Sequence, residues 1–275
     1  MGKMLYNLIL LLMAALYLPF ALWKNGKNPG YLSLFFTKCI GKLPPIAAPC
    51  SKRLWLHAVS FGEMRIAIEL MQALLQKEPT VEFVLSSSTQ TGISYAKDLQ
   101  KKEKSIRAVF PLPWDFSWNI KKAGREIKAE MLVGIESDFW YNLYRYGSKK
   151  VALVNAKISL ASATRFSFFS FLFRKIFQPV SLICSQTKAY AYAFSSLGFP
   201  SSKIVVTGNI KCDRKIAPID KEKLREKFQL SFSQKVVVLV SATLEDSVLQ
   251  IANKYAKQYV SIEVGDVSIA PTIEE

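Results

Sequence analysis

The chain has 275 residues, half of them hydrophobic, with a mean hydropathy of +0.16, so it is too apolar for a disordered or fibrous protein and long enough for two modest α/β domains. Lys and Arg number 37 against 21 Asp and Glu, a formal net charge of +16. The single histidine, His57, excludes a site built on several histidines, and four scattered cysteines without a CxxC pair exclude a disulfide framework or a zinc ribbon.

Residues 4–23 carry no charge and one amide, Asn7. Twenty such residues match the ~30 Å of a bilayer's hydrocarbon core. A signal peptide wants a shorter apolar core and a small-residue cleavage site, whereas Lys24-Asn25-Gly26-Lys27 follows here. Pro19 is expected to kink the helix near its end. Only Lys3 precedes the segment. Lys24, Lys27, Lys38, Lys42, Lys52 and Arg53 follow it, and the first acid is Glu63. The positive-inside rule then places the bulk of the protein in the cytoplasm, with residues 1–23 as a single anchor in the inner (plasma) membrane. Residues 24–53 read as a basic juxtamembrane segment suited to anionic headgroups. These seven cations account for much of the net charge, which leaves little support for a nucleic-acid partner.

From Leu54 onward, short apolar runs alternate with helical periodicity. The runs are 54–59, 81–85, 106–110, 131–135, 151–154, 180–184 and 204–207. In the first helical stretch, Ile66, Ala67, Leu70, Met71, Leu74 and Leu75 share one face. This alternation implies a parallel sheet covered on both sides, a Rossmann-like α/β domain over residues 54–210 with its ligands at the carboxyl ends of the strands. Residues 211–275 read as a charged linker and the opening of a second Rossmann-like domain, with an apolar run at 235–240 and a helix over 244–259. One such unit cannot bury its own faces, so this part reads as incomplete.

The turns at the strand ends carry the chemistry. In His57-Ala58-Val59-Ser60-Phe61-Gly62-Glu63, Gly62 is expected to allow a tight turn. Glu63 opens the helix, where it could act as a general base or simply complete a capping box with Ser60. Residues 86–92, SSSTQTG, are dense in hydroxyls and suit sugar or phosphate, or an ordinary helix cap. Residues 111–115, PLPWD, form a rigid connector. Glu136 and Asp138 end the fourth run, and Lys211 sits where it could meet an anionic substrate. Between 165 and 177, six phenylalanines alternate with Arg165, Arg174 and Lys175, which suits a bilayer interface, a core helix or, less well, single-stranded nucleic acid.

HAVSFGE at 57–63, SSSTQTG at 86–92, PLPWD at 111–115, IESDFWYN at 135–142, NAKIS at 155–159 and TGNIKCD at 207–213 occur in order behind an amino-terminal membrane segment. Together they resemble the 3-deoxy-D-manno-octulosonic acid (Kdo) transferases of lipopolysaccharide assembly. The resemblance implies a GT-B glycosyltransferase fold, of which this chain holds the acceptor-binding half. It also implies transfer of Kdo from CMP-Kdo to a lipid A precursor, with no cofactor or metal beyond the donor itself. Glu63 matches the family's general base, and Glu136 and Lys211 match positions that stabilise the transition state. His57, Ser60, Gly62, Ser88, Thr89, Thr91 and Asn155 fall in the same blocks as expected substrate contacts. The sequence departs from the family at Tyr141, which stands where the family has proline. Residues 241–246, SATLED, replace a histidine-containing turn, and the family's nucleotide-binding segments have no counterpart. A truncated transferase, or a non-catalytic membrane-bound remnant that binds lipid A, is the expectation.

Overall fold

The computed structural model describes residues 3–27, 31–49, 51–136, 139–168, 170–213, 220–227 and 231. The chain divides into two compact units, Met1–Arg214 and Lys215–Glu275. The expected run at 235–240, the helix at 244–259, the turn at 241–246 and Asp138 lie outside the described residues.

The first unit opens with two helices, α1 (Lys3–Lys27) and α2 (Tyr31–Ile40). Strands and helices then alternate: β1 (Arg53–Ala58), α3 (Phe61–Lys77), β2 (Glu82–Ser87), α4 (Gln90–Gln100), β3 (Ile106–Pro111), α5 (Ser117–Ile127), β4 (Met131–Ile135), α6 (Tyr141–Tyr146) and β5 (Lys150–Ala156). Next come α7 (Leu160–Ser167), α8 (Ser170–Phe177), β6 (Val180–Ser185), α9 (Lys188–Ser196) and β7 (Ile204–Val206), ending in a 3-10 turn at Ile210–Asp213. The second unit contributes α10 (Lys221–Lys227).

All seven strands are parallel, in the order β3-β2-β1-β4-β5-β6-β7. Successive side chains leave a strand on opposite faces, so Trp55 and Val84 feed one core while Leu56, Phe83 and Leu85 feed the other. Helices α3 and α4 cover the second face, where Ile66, Ala67 and Met71 are buried as their spacing predicts, together with Met64 and Ile68. Chain order reverses between β1 and β4. In open α/β sheets the crevice beyond the strand ends at such a reversal is where ligands bind.

Three expectations change. The segment 24–53 is not simply a lipid-facing linker: it contains α2, and two of its cations are withdrawn. Lys38 is half-buried and donates to the Ser88 carbonyl at 2.7 Å. Arg53 is 1% exposed and grips Glu82 through Nε at 3.0 Å and Nη2 at 2.6 Å. Gly62 does not make the first turn; it sits inside the first turn of α3 without a positive φ, and the chain bends at Ser60 instead. The phenylalanine-rich stretch divides between α7 and α8. Phe166, Phe173 and Phe177 pack around Phe139, whereas Phe168 and Phe171 are exposed.

Candidate active site

The site grows from the ends of β1, β4 and β5. Ser60 ends the turn after β1 in an extended conformation, and its Oγ accepts from the Glu63 amide at 3.3 Å. Glu63 returns the contact: its Oε2 accepts from the Val59 amide at 2.7 Å and the Ser60 amide at 3.4 Å. The capping box and the candidate base are thus the same residue. Burial raises the Glu63 pKa most, the two amide bonds oppose it, and the negative charge of Glu136 adds to the rise; the net direction is upward. The helix terminus alone would have made Glu63 a weaker base.

Glu136 follows β4 across the topological reversal. It is 5% exposed and sits at φ 64°, with its amide donating to the Val154 carbonyl at 3.0 Å. Lys157, beyond the end of β5, reaches Glu136 Oε2 at 2.5 Å, and Lys211 approaches Oε1 at 3.6 Å. One nearly buried carboxylate therefore holds two half-exposed ammonium groups, a local charge of one net positive. The structure pairs Lys211, expected to face an anionic substrate, with Glu136. Lys157 joins it too, and its spacing from Asn155 carries no signal of this ion pair.

Asn155 is fully buried at φ 57°. Its Oδ1 accepts from the Ile210 amide at 3.0 Å, and its carbonyl accepts from Gln186 Nε2 at 2.8 Å. It thereby ties down the loop that carries Lys211. Gly208, at φ 86°, supplies the backbone reversal in that loop. The Ile210–Asp213 turn packs against α3, so the Lys211 and Glu63 elements are in contact.

The β2 turn lies on the other side of Val59. The Val59 carbonyl accepts from Ser87 Oγ at 2.9 Å and from the amides of Ser88 and Thr89 at 3.2 and 3.1 Å. Thr89 caps α4 through the Gly92 amide, and Thr91 is exposed beside it. A largely apolar cavity of about 640 Å³ runs from Val59, Ser88 and Thr89 to Leu10 and Tyr17 of α1 and Phe35 of α2. His57 stays inside the sheet at 1% exposure, with Nδ1 near Ser86 Oγ at 3.0 Å. Burial and the nearby Lys38 charge, partly offset by the Ser86 carbonyl, bring its pKa down to about 3. It is therefore neutral at physiological pH and does not line the crevice.

A parallel sheet with a carboxylate at the helix start after β1, and an acid–lysine cluster across the reversal, defines a Rossmann-type domain with a charged crevice at its reversal point. The family model for 3-deoxy-D-manno-octulosonic-acid transferase (kdotransferase) matches residues 36–214, and the chain belongs to that family. The 3-deoxy-D-manno-octulosonic acid transferase of Chlamydia trachomatis serovar A is 31% identical over 198 residues, covering 70% of this chain and 46% of the relative. The Rickettsia conorii transferase of the same name is 31% identical over 224 residues, 80% of this chain and 47% of its own. That of Chlamydia pneumoniae is 27% identical over 271 residues, 94% of this chain and 61% of its own. The chain spans about half the length of the curated relatives it matches.

Proposed function

We propose that this chain forms the acceptor side of a membrane-associated Kdo transferase, which passes Kdo from CMP-Kdo to a lipid A precursor during lipopolysaccharide assembly. The observation that carries the reading is the state of Glu63: fixed by two amides at the sheet's reversal point and raised in pKa by burial and by Glu136. Glu63 takes the proton of an acceptor hydroxyl as that oxygen bonds to the anomeric carbon of Kdo. The bond from that carbon to the phosphate of CMP breaks, and its electron pair leaves with CMP. The Glu136–Lys157–Lys211 cluster offsets the negative charge of the donor's carboxylate or phosphate. The apolar cavity beside Val59 suits an acyl chain of the lipid acceptor.

The test is a chimera carrying residues 1–214 of this chain ahead of the remainder of the Chlamydia pneumoniae relative. Incubated with CMP-Kdo and a tetraacylated lipid A precursor, it should yield a Kdo-bearing lipid by mass spectrometry. A chimera that binds the lipid yet transfers nothing would favour a binding role instead.

A further inference from the structure

We propose that α1 lies in the plane of the membrane surface, with one face docked on the α/β domain and the other in the acyl layer, and does not cross the bilayer. Its length and composition alone would allow it to cross. Its packing points elsewhere. Asn7, Leu10 and Ala21 are buried, and Tyr6, Ala14, Tyr17, Leu18, Lys24 and Asn25 are half-buried on the same stripe. This spacing of three and four marks one helix face turned to the protein from end to end. Between the buried positions, Met4, Leu8, Leu12, Leu16 and Trp23 are exposed by 52% or more.

The docked face is held by polar contacts at its amino-terminal end. Tyr6 Oη donates to Asp115 Oδ2 at 2.8 Å, and Asn7 Nδ2 donates to Ser117 Oγ at 2.8 Å. Asn7 Oδ1 accepts from the Ser117 amide at 3.2 Å and from Asn142 Nδ2 at 3.1 Å. Further along, the Tyr17 ring meets Phe35 at 6.1 Å and Trp114 at 6.4 Å, and Asn25 Oδ1 accepts from the Leu32 amide at 3.1 Å. From Tyr6 to Tyr17 the attachment to the domain runs roughly 16 Å at a rise of about 1.5 Å per residue, and beyond it α1 rests on α2 through Phe35 and Leu32. That holds about half of the ~30 Å a crossing helix would need for itself. To cross while docked, α1 would drag Asp115, Ser117, Asn142 and the exposed Lys121 and Lys122 of α5 into hydrocarbon, where charged and polar groups are costly. Lying flat, α1 keeps those groups on the aqueous side and immerses its apolar face. Trp23 and Lys24 then sit at the headgroup level that such residues favour. The absence of any acid before Glu63 suits an anionic surface.

The experiment is a protease-protection assay on the full chain with an amino-terminal epitope tag, expressed in a bacterial host. With α1 in the plane, the tag is cleaved in inverted membrane vesicles, on the same side as the α/β domain, and protected in intact spheroplasts. Cleavage of the tag in spheroplasts together with protection in inverted vesicles would overturn the proposal. So would recovery of the protein in the soluble fraction.

Discussion

Glu136 and Asn155 terminate neighbouring strands in the same left-handed backbone conformation, at φ 64° and 57°. Among the described residues one other non-glycine residue, Lys128, has a positive φ. Such conformations are uncommon outside glycine, cost on the order of 1–3 kcal/mol where strained, and gather at functional sites. At β4 the conformation lifts Glu136 off the sheet to meet two lysines; at β5 it turns the Asn155 side chain onto the Lys211 loop.

Asn155→Gly should therefore separate geometry from stability. Glycine accepts the backbone conformation but cannot hold the Ile210 amide. Hydrogen exchange at residues 207–213 should quicken, and transfer by the chimera should fall at least tenfold, while the melting temperature of the domain stays within a few degrees.

Glu63→Gln keeps both the size of the side chain and the capping partner, since glutamine also completes a capping box. Loss of a general base typically costs about 10²–10⁴ in rate. The expected variant melts like the wild type, binds the lipid precursor and transfers Kdo slowly. Equal rates for the two proteins would eliminate Glu63 as the base.

Lys157→Met leaves the nearly buried Glu136 with the more distant Lys211 alone. Lys157 is itself 45% exposed on its side chain, so solvent screening reduces the loss from that of a fully buried pair to about 1–2 kcal/mol. Urea denaturation at neutral pH measures it. An unchanged midpoint would show that the 2.5 Å contact contributes nothing to stability.

Asp115 and His57, displaced in opposite senses over the acid-to-neutral range, should nearly cancel in the pH dependence of stability. Burial raises Asp115 to about 7, against the amides of Asn142 and Leu143 and the Tyr6 hydroxyl. The folded state then binds more protons than the unfolded one between about pH 4 and 7, so this group's contribution is lost as pH rises through that window. His57 falls to about 3, so the unfolded chain binds the extra proton, and its contribution is lost as pH drops below about 6.5. Asp115→Asn should expose the acid-side loss from His57, and His57→Gln the opposite slope from Asp115. Each slope approaches about 1.4 kcal/mol per pH unit at its steepest. Melting curves in detergent from pH 4 to 8 check both signs.

Much of the sheet was legible because its strands are apolar on both faces. All seven runs became strands, and 131–135 kept both boundaries. The edges ran over where polar groups are hidden: β1 begins at Arg53, buried by its ion pair with Glu82, and β2 continues through the buried Ser86 and Ser87, none of which an apolar pattern includes. Glu63, Glu136 and Lys211 stand out in sequence because each sits in a turn directly after a strand. The attachment of α1 was not, because Tyr6 and Asp115 stand 109 residues apart and a tyrosine in an apolar run looks like any membrane aromatic. Lys157 escaped for a related reason: its partner lies on another strand, and no local periodicity encodes that pairing.

Glu63 has one oxygen committed to the chain and one left over. Because Oε2 holds the amides of Val59 and Ser60, the carboxylate cannot swing toward whichever hydroxyl is offered without unpicking the start of α3. On the proposed role of Glu63 as the base, a sugar acceptor with several hydroxyls of similar acidity must bring the right one to Oε1. The choice of linkage position then falls to whatever grips the rest of the acceptor, so enlarging or filling the cavity beside Val59 is a route to altered regiochemistry that leaves the base untouched.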